Sequence, residues 1–385
     1  MLSKYRADRA VMPDGSVSWV VVVDADYRLH VEGCAFLAGL RAADRSVNTE
    51  RVYAGRVALF LGWCAASGLD WTRVSLGQMV GFKRWLVEAP LPSRRRDGTG
   101  PARFRSPGSA DAVLGTVCEF LRFCANQGLG VPVEVARRFY EPRYLRHPPA
   151  GFETGEDGQF RTVRSRLLAF TVEEQPYEFV DPARVPLLVN AAGNPRDRFL
   201  VVLLAVTGLR IGEALGLHRC DMHLLSDSRL LGCPIPGPHV HVLRRRDNTN
   251  GALVKTRKPR TVPVTPDVVD HYADYTYERA RLLPDDGSDL VFVNLYRPPL
   301  GEGMTYPNAK EMFDRLTTAT GTTARPHLLR HTAATTMRKA GVARDAIQAV
   351  LGHVSPASMQ PYLHTDEAEK RAAVEQAAAW AAAQR

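Results

Sequence analysis

No apolar run in this chain approaches the roughly 20 residues that span a bilayer. The longest, Phe199 to Val206, reads as a buried core helix. The N-terminus lacks the charged, apolar and small-residue succession of a signal peptide, because Trp19 to Val23 runs straight into Asp24. Neither export nor membrane insertion is expected. The six cysteines (Cys34, Cys64, Cys118, Cys124, Cys220, Cys233) form no C-x-x-C pair and no disulfide framework, which suits a reducing cytoplasm. Metal ligands are sparse as well. His218, Cys220 and His223 lie close in sequence, yet no second group completes four ligands at a familiar spacing. His239 and His241 share one face of an expected strand but lack further ligands nearby. No acidic cluster with two-metal spacing stands out, so a metal nuclease is disfavoured and neither a metal nor a cofactor is expected. Lysine is scarce too: Lys4, Lys83, Lys255, Lys258, Lys310, Lys339 and Lys370 are all there are. A lysine inside a patterned segment therefore carries more weight than an arginine.

Arginine is abundant. With 50 basic against 41 acidic residues the formal charge is +9 and the pI about 9.4, which suits a polyanionic partner. The guanidinium is a planar fork that pairs bidentately with phosphate or guanine. At 385 residues and 45% hydrophobic content, two domains are expected rather than one.

The expected organisation is an N-terminal segment over 1–28, a helical domain over 29–145, a linker over 146–175 and a second domain over 176–385. From Arg41 to Gly130 the pattern is helical three times over, each stretch opened by a polar cap and closed near glycine. The first follows Asn48 or Thr49 and stacks Val52, Arg56, Phe60 and Trp63 on one side. The second opens on Ser75 and Gln78, a capping-box pair, and turns Met79, Phe82 and Leu86 inward. The third, from about Ser109 to Gly128, buries Val113, Val117, Phe120 and Cys124 and leaves Arg122 exposed. Between the last two lies a Pro, Gly and Arg-rich loop with Arg94, Arg95, Arg96, Arg103 and Arg105, either a solvated surface feature or a phosphate contact. The polar stretch from about Arg146 to Glu174 has little periodicity and reads as the interdomain connection.

The second domain opens with Asp181 and Pro182, an N-cap followed by proline at the first helical position. A short helix follows Gly208. The period then changes to two in HVHVLRRR and RTVPVT, with turn chemistry at Asp247 to Gly251 between them, so a hairpin is expected with Lys255 on or beside it. Downstream the pattern predicts a helix from Pro266 to Leu282, a short strand LVFVN, and helices near 306–319, 327–340, 343–352 and 355–363. Asp366 to Ala383 reads as an Ala-rich amphipathic helix.

Within this domain, residue types that can act together on one phosphodiester recur in order. Breaking a strand without a metal requires a nucleophile, cations around the phosphorane and an acid for the departing 5′ oxygen. TGLRIGEALGL places Arg210 at a helix start with Glu213 three positions on, close enough to steer the guanidinium. HLLRHT puts His327 and Arg330 on one helical face. His353 in LGH supplies another imidazole, and Tyr362 follows nine residues later. Singly, each such residue is more often structural. Their joint order carries the information.

On TGLRIGE, VKTRKPRTVPV, PHLLRHT, LGH and PYLH the chain resembles the tyrosine recombinase, or phage integrase, family of site-specific DNA recombinases. The N-terminal helices are similar, more loosely, to that family's core-binding domain. The resemblance implies a mainly α fold with a small antiparallel β-sheet: a helical core-binding domain that clamps DNA, then an α+β catalytic domain. It implies that Tyr362 attacks the scissile phosphate to give a 3′-phosphotyrosine and a free 5′ hydroxyl, without metal or ATP. Arg210 and Arg330 would bind the nonbridging oxygens, and His327 and His353 would donate hydrogen bonds or shuttle the phenol proton. Lys255, first in the K-T-x-K segment, would be the general acid, with Lys258 its rival because the hairpin is extended. Arg94, Arg95, Arg96, Arg122, Arg257 and Lys258 are the candidate DNA contacts. The implied partners are double-stranded recombination sites and a homotetramer on DNA that exchanges C-terminal helices. Where many relatives carry a pair of threonines before the tyrosine, this chain has Ser358-Met359-Gln360-Pro361. Competing readings are a type IB topoisomerase-like nicking and closing enzyme and a non-catalytic DNA-binding regulator.

Overall fold

The computed structural model describes residues 4–13, 15–23, 27–93, 101–146, 162–172, 178–245, 247–254 and 258–352. These fall into two compact units, residues 4–172 and residues 178–352. The fold is mainly helical with small antiparallel sheets. No described helix is long and apolar enough to cross a membrane.

The first unit begins with β1 (Tyr5–Val11), β2 (Val17–Val23) and the short β3 (Arg28–Leu29), an antiparallel sheet in which Tyr5 faces Val23 and Val11 faces Val17. The apolar run at Trp19 to Val23 is thus a strand whose inner side chains join the helical core. Then come α1 (Val31–Ala42), α2 (Val47–Ala66), α3 (Leu76–Glu88), α4 (Pro107–Asn126) and the short α5 (Val133–Arg137). Helix α2 is capped by Ser46, and its buried stripe is Ala54, Val57, Phe60, Leu61 and Cys64. Val52, expected inside, is exposed because it lies off that stripe. The Ser75 and Gln78 capping box at α3 is present, and Met79, Phe82 and Leu86 are fully buried. In α4, Val113, Val117, Phe120 and Cys124 are buried and Arg122 is exposed. Glu50, buried on α2, accepts from Ser18 Oγ and Trp19 N, each at 3.0 Å, and pairs with Arg41, tying β2 to the helices. Strand β4 (Tyr140–Tyr144) pairs with β5 (Thr162–Arg166), so part of the stretch read as a connection is a strand of the first unit. Arg166 fixes it by pairing with Asp111 of α4 at 2.7 Å.

The second unit contains α6 (Val185–Ala191), α7 (Pro195–Thr207), α8 (Ile211–Leu215), β6 (Met222–His223), β7 (His239–Val242), β8 (Arg260–Pro263), α9 (Pro266–Leu282), α10 (Tyr306–Thr320), α11 (Pro326–Lys339) and α12 (Arg344–Leu351). Helix α7 is apolar nearly all round because it is the centre of the core, against α6, α9 and α11. Its Phe199 stacks on Phe292 at 5.2 Å and on Tyr275 of α9 at 6.0 Å. The LVFVN segment is buried, but it does not form the expected strand and makes only isolated bridges, His218 with Leu290 and Val293 with Gly303. Buried Arg279 donates to the carbonyls of Leu290 and Val291, and Tyr275 Oη to that of Val291, so side chains satisfy groups that a strand would give to a neighbour.

The second-unit sheet runs in the order β6, β7, β8, all antiparallel. Its register sets His223 opposite His239, two residues before His241, so the three imidazoles share one face. Here an expectation is corrected. His239 and His241 do have further potential ligands beside them: Cys233 Sγ is 3.5 Å from the Nε2 of each, and the His223 ring centroid is 5.1 and 4.4 Å from theirs. The His218 ring and the Cys220 thiol are not part of this group; His218 Nε2 meets Asn248 Oδ1 at 2.9 Å and Cys220 is exposed. Register across the hairpin, invisible to sequence spacing, assembles the set.

Candidate active site

Helix α7 stops at Gly208, which adopts a left-handed conformation (φ +63°) that disfavours a side chain. A Cβ there would also lie 2.5 Å from Leu351 Cδ2 and 3.2 Å from Ala333 Cβ. Glycine thus lets the end of α7 sit tightly against α11 and α12. Two residues later Arg210 caps α8 with its backbone, and its N–H donates to Glu213 Oε2 at 2.9 Å. Its guanidinium pairs with Glu213 Oε1 at 3.1 Å. Gly212, on the same short helix, would place a Cβ 2.7 Å from the Leu253 carbonyl oxygen, so the chain leading toward Lys255 passes directly over α8.

Glu213 is the hub. Its side chain is fully buried and also accepts from Arg260 Nη1 at 3.1 Å and Nη2 at 2.7 Å. Burial pushes this carboxyl up, but hydrogen bonds and charge from Arg260, then the N–H and charge of Arg210, outweigh it and hold the group below the usual carboxylate range. Arg260, at the start of β8, also donates through Nε to the Val350 carbonyl of α12 at 3.0 Å. One carboxylate thereby joins the start of α8, the hairpin and the end of α12.

Arg330 makes the second set of ties. On the buried face of α11, it donates through Nη1 to the Gly208 carbonyl at 2.6 Å and through Nη2 to the Leu351 carbonyl at 2.8 Å. The TGLR and LGH segments, far apart in sequence, are joined by the HLLRHT segment. His327 lies one turn earlier on α11, and His331 packs edge-on against it with ring centroids 4.1 Å apart. Burial, then His327 and Arg330, push the His331 pKa down to about 4, so this imidazole is neutral at ordinary pH.

The described residues therefore bring Arg210, Glu213 and Arg330 together at one end of the core, with His327 on the Arg330 helix. Lys255, Arg257, His353, Tyr362, Arg94, Arg95 and Arg96 lie outside the described residues, as does the Asp366 to Ala383 segment. Lys258 is exposed. Arg122 is exposed beside the Tyr140 ring, 5.5 Å from its centroid. Sequence reasoning missed Arg260 and His331. No spacing rule singles out the first of a strand's residues as partner to a glutamate 47 positions earlier. His331 had a signal in its place beside Arg330 in HLLRHT.

Residues 178–369 match the model of the phage integrase family. Transposase A from transposon Tn554 of Staphylococcus aureus is 23% identical over 356 residues, spanning 91% of this chain and 92% of the transposase. A tyrosine recombinase XerD from Lacticaseibacillus casei is 29% identical over 261 residues, 68% of this chain and 73% of that protein. Among solved structures, XerH bound to difH substrate in a pre-cleavage complex has TM-score 0.54 at 15% identity, covering 88% of this chain and 83% of that one. A lambda integrase dimer bound to a COC' core site also gives 0.54, at 14% identity, covering 88% and 98%. The arginine and glutamate network thus sits in a recombinase fold. The chain belongs to the tyrosine recombinase, or phage integrase, family, and it is a site-specific DNA recombinase.

Proposed function

We propose that this protein cuts and rejoins DNA through a 3′-phosphotyrosine on Tyr362, with no metal at the reacting phosphate and no ATP. The observation that supports this best is the pair of Arg330 hydrogen bonds, to Gly208 two residues before Arg210 and to Leu351 two residues before His353. Segments more than a hundred positions apart in sequence are thereby tied to one end of one core. Tyr362 is the sole tyrosine after His353.

In this reading the Tyr362 phenol gives up its proton to His353 or His327 and its oxygen attacks phosphorus. Arg210 and Arg330 bind the nonbridging oxygens, and the bond to the 5′ oxygen breaks as Lys255, with Lys258 the alternative, returns a proton. One ester replaces another, so a 5′ hydroxyl from a second strand reverses the attack without an external energy source. Each preorganised donor is worth about 3 kcal/mol, or roughly 100-fold in rate. Glu213 positions Arg210 rather than touching DNA. The first unit, residues 29–145 together with the strands that pack on them, acts as the DNA-clamping domain, and residues 176–385 act as the catalytic domain. Four protomers assemble on two duplex sites, each docking its Asp366 to Ala383 segment into a neighbour. The setting is the cytoplasm.

The test begins with a pool of duplexes with randomised cores, each carrying a nick that traps cleavage; DNA retained with denatured protein is selected. Strand exchange between two selected duplexes is then measured in chelator. Exchange that persists supports the proposal. Relaxation of supercoiled DNA without exchange indicates a topoisomerase-like enzyme, and cleavage that is lost in chelator and restored by magnesium alone indicates a metal nuclease.

A further inference from the structure

The geometry points to a tetrahedral zinc site formed by His223, Cys233, His239 and His241, on the face of the second-unit sheet. The four donor atoms all lie within 4.8 Å of one another. Zinc ligation at about 2.0–2.1 Å from nitrogen and about 2.3 Å from sulfur requires donor-to-donor edges of about 3.3–3.6 Å. Cys233 Sγ is 3.5 Å from both His239 Nε2 and His241 Nε2, and those two nitrogens are 3.0 Å apart. The remaining edges, to His223, are within 4.8 Å and reach tetrahedral lengths if they shorten by about 1 Å.

The surroundings fix the donor atoms. His239 Nδ1 is 2.7 Å from the Gly237 carbonyl, so it carries the proton and leaves the Nε2 lone pair facing the cluster. His223 Nε2 is 3.2 Å from the Cys220 carbonyl, which leaves Nδ1 as the free lone pair. That Nδ1 is buried and has no hydrogen-bond partner. A cluster held by hydrogen bonds alone leaves this atom orphaned, whereas a cation satisfies it together with the other three. Three imidazoles and one thiolate are a borderline-soft set that suits zinc, and four protein ligands leave no open position, as in structural sites. On binding, the Cys233 thiol loses its proton to solvent and becomes the thiolate ligand.

The segment from His223 to His239 also needs such a fastening. Its Leu224 packs against the core, but Leu225 and Leu230 are exposed, at 45% and 82%, so the stretch between Leu224 and Cys233 has few apolar ties. A metal joining β6, β7 and the Cys233 turn would anchor it. His241 faces Thr261, adjacent to Arg260, so the same anchor stiffens the strand pair that carries Arg260 to Glu213.

The test uses full-length protein expressed with added zinc, freed of any affinity tag and dialysed against a weak chelator, with metal content measured by mass spectrometry. The expected result is close to one zinc per chain in the wild type and in Cys220→Ser, a neighbouring cysteine outside the set. Cys233→Ser and His241→Ala should lose most of the zinc, while Cys233→His, which restores four ligands, should retain it. Cobalt exchanged into the wild type should give a thiolate charge-transfer band that Cys233→His lacks. Circular dichroism of each variant separates loss of metal from loss of fold. A folded wild type without zinc, another metal in its place, or zinc retained by folded Cys233→Ser and His241→Ala variants would each overturn the assignment.

Discussion

Replacing Glu213 by Gln isolates the buried carboxylate that holds two arginines in place. The substitution keeps the shape, but it removes the charge and turns an amide N–H group toward guanidinium donors. Four hydrogen bonds from Arg210 and Arg260 converge on this side chain. Removing one partner of a buried pair costs about 3–5 kcal/mol, and an isostere that keeps one acceptor oxygen belongs near the lower end, about 3 kcal/mol. For a unit of this size each kcal/mol lowers the melting temperature by about 2–4 °C, so a fall of about 6–12 °C is expected near pH 7. The pH dependence gives a second signature. The folded-state pKa of Glu213 is depressed, so its contribution is present above the unfolded value of about 4.3 and disappears as pH falls through the folded value. Melting curves of wild type and Glu213→Gln, followed by circular dichroism, should therefore converge as the pH drops below about 4. A gap under about 2 °C at neutral pH, or one that stays constant into acid, contradicts the role assigned to this carboxylate.

Gly208→Ala combines a left-handed backbone, about 1–2 kcal/mol for a residue with a Cβ, with overpacking against Leu351, about 1–3 kcal/mol, so urea unfolding should report a loss of about 2–5 kcal/mol. His331 should titrate in the folded chain near 4, read from its imidazole resonances; because this is below its unfolded value of about 6.5, its stabilising effect is lost as pH falls between the two, and a midpoint above about 6 refutes the burial argument. Replacing Arg94, Arg95 and Arg96 together by Ala should reduce the salt dependence of DNA binding by up to about 3 in the slope of log affinity against log salt, and an unchanged slope removes them as phosphate contacts.

What could be read from the chain alone divides by range. The Ser75 and Gln78 box, the Pro266–Leu282 helix and the alternation of β7 and β8 depend on neighbours within a few positions, and all were legible. Helix α1 was not, because its cap is His30, whose Nδ1 accepts from the Gly33 N–H in place of the usual hydroxyl or carboxylate. Strands β4 and β5 escaped because their residues are mostly exposed or half-buried and show no apolar alternation. At the site, the order of arginine, histidine and glutamate could be read, whereas the Arg260 link to Glu213 and the Arg330 links to Gly208 and Leu351 depend on tertiary contact. The His223, Cys233, His239 and His241 group was hidden for the same reason: its ligands are gathered by strand register, and no familiar ligand spacing marks it.

The central claim is that the phenol of Tyr362 becomes joined to DNA, and the most direct measurement is the mass of the peptide that carries the nucleotide. Protein trapped on a nicked duplex in chelator is digested with protease and nuclease and the modified peptide sequenced. The account predicts a nucleotide 3′-phosphate on Tyr362 and no adduct from Tyr362→Phe. A nucleotide on any other residue, or an adduct that survives Tyr362→Phe, contradicts it.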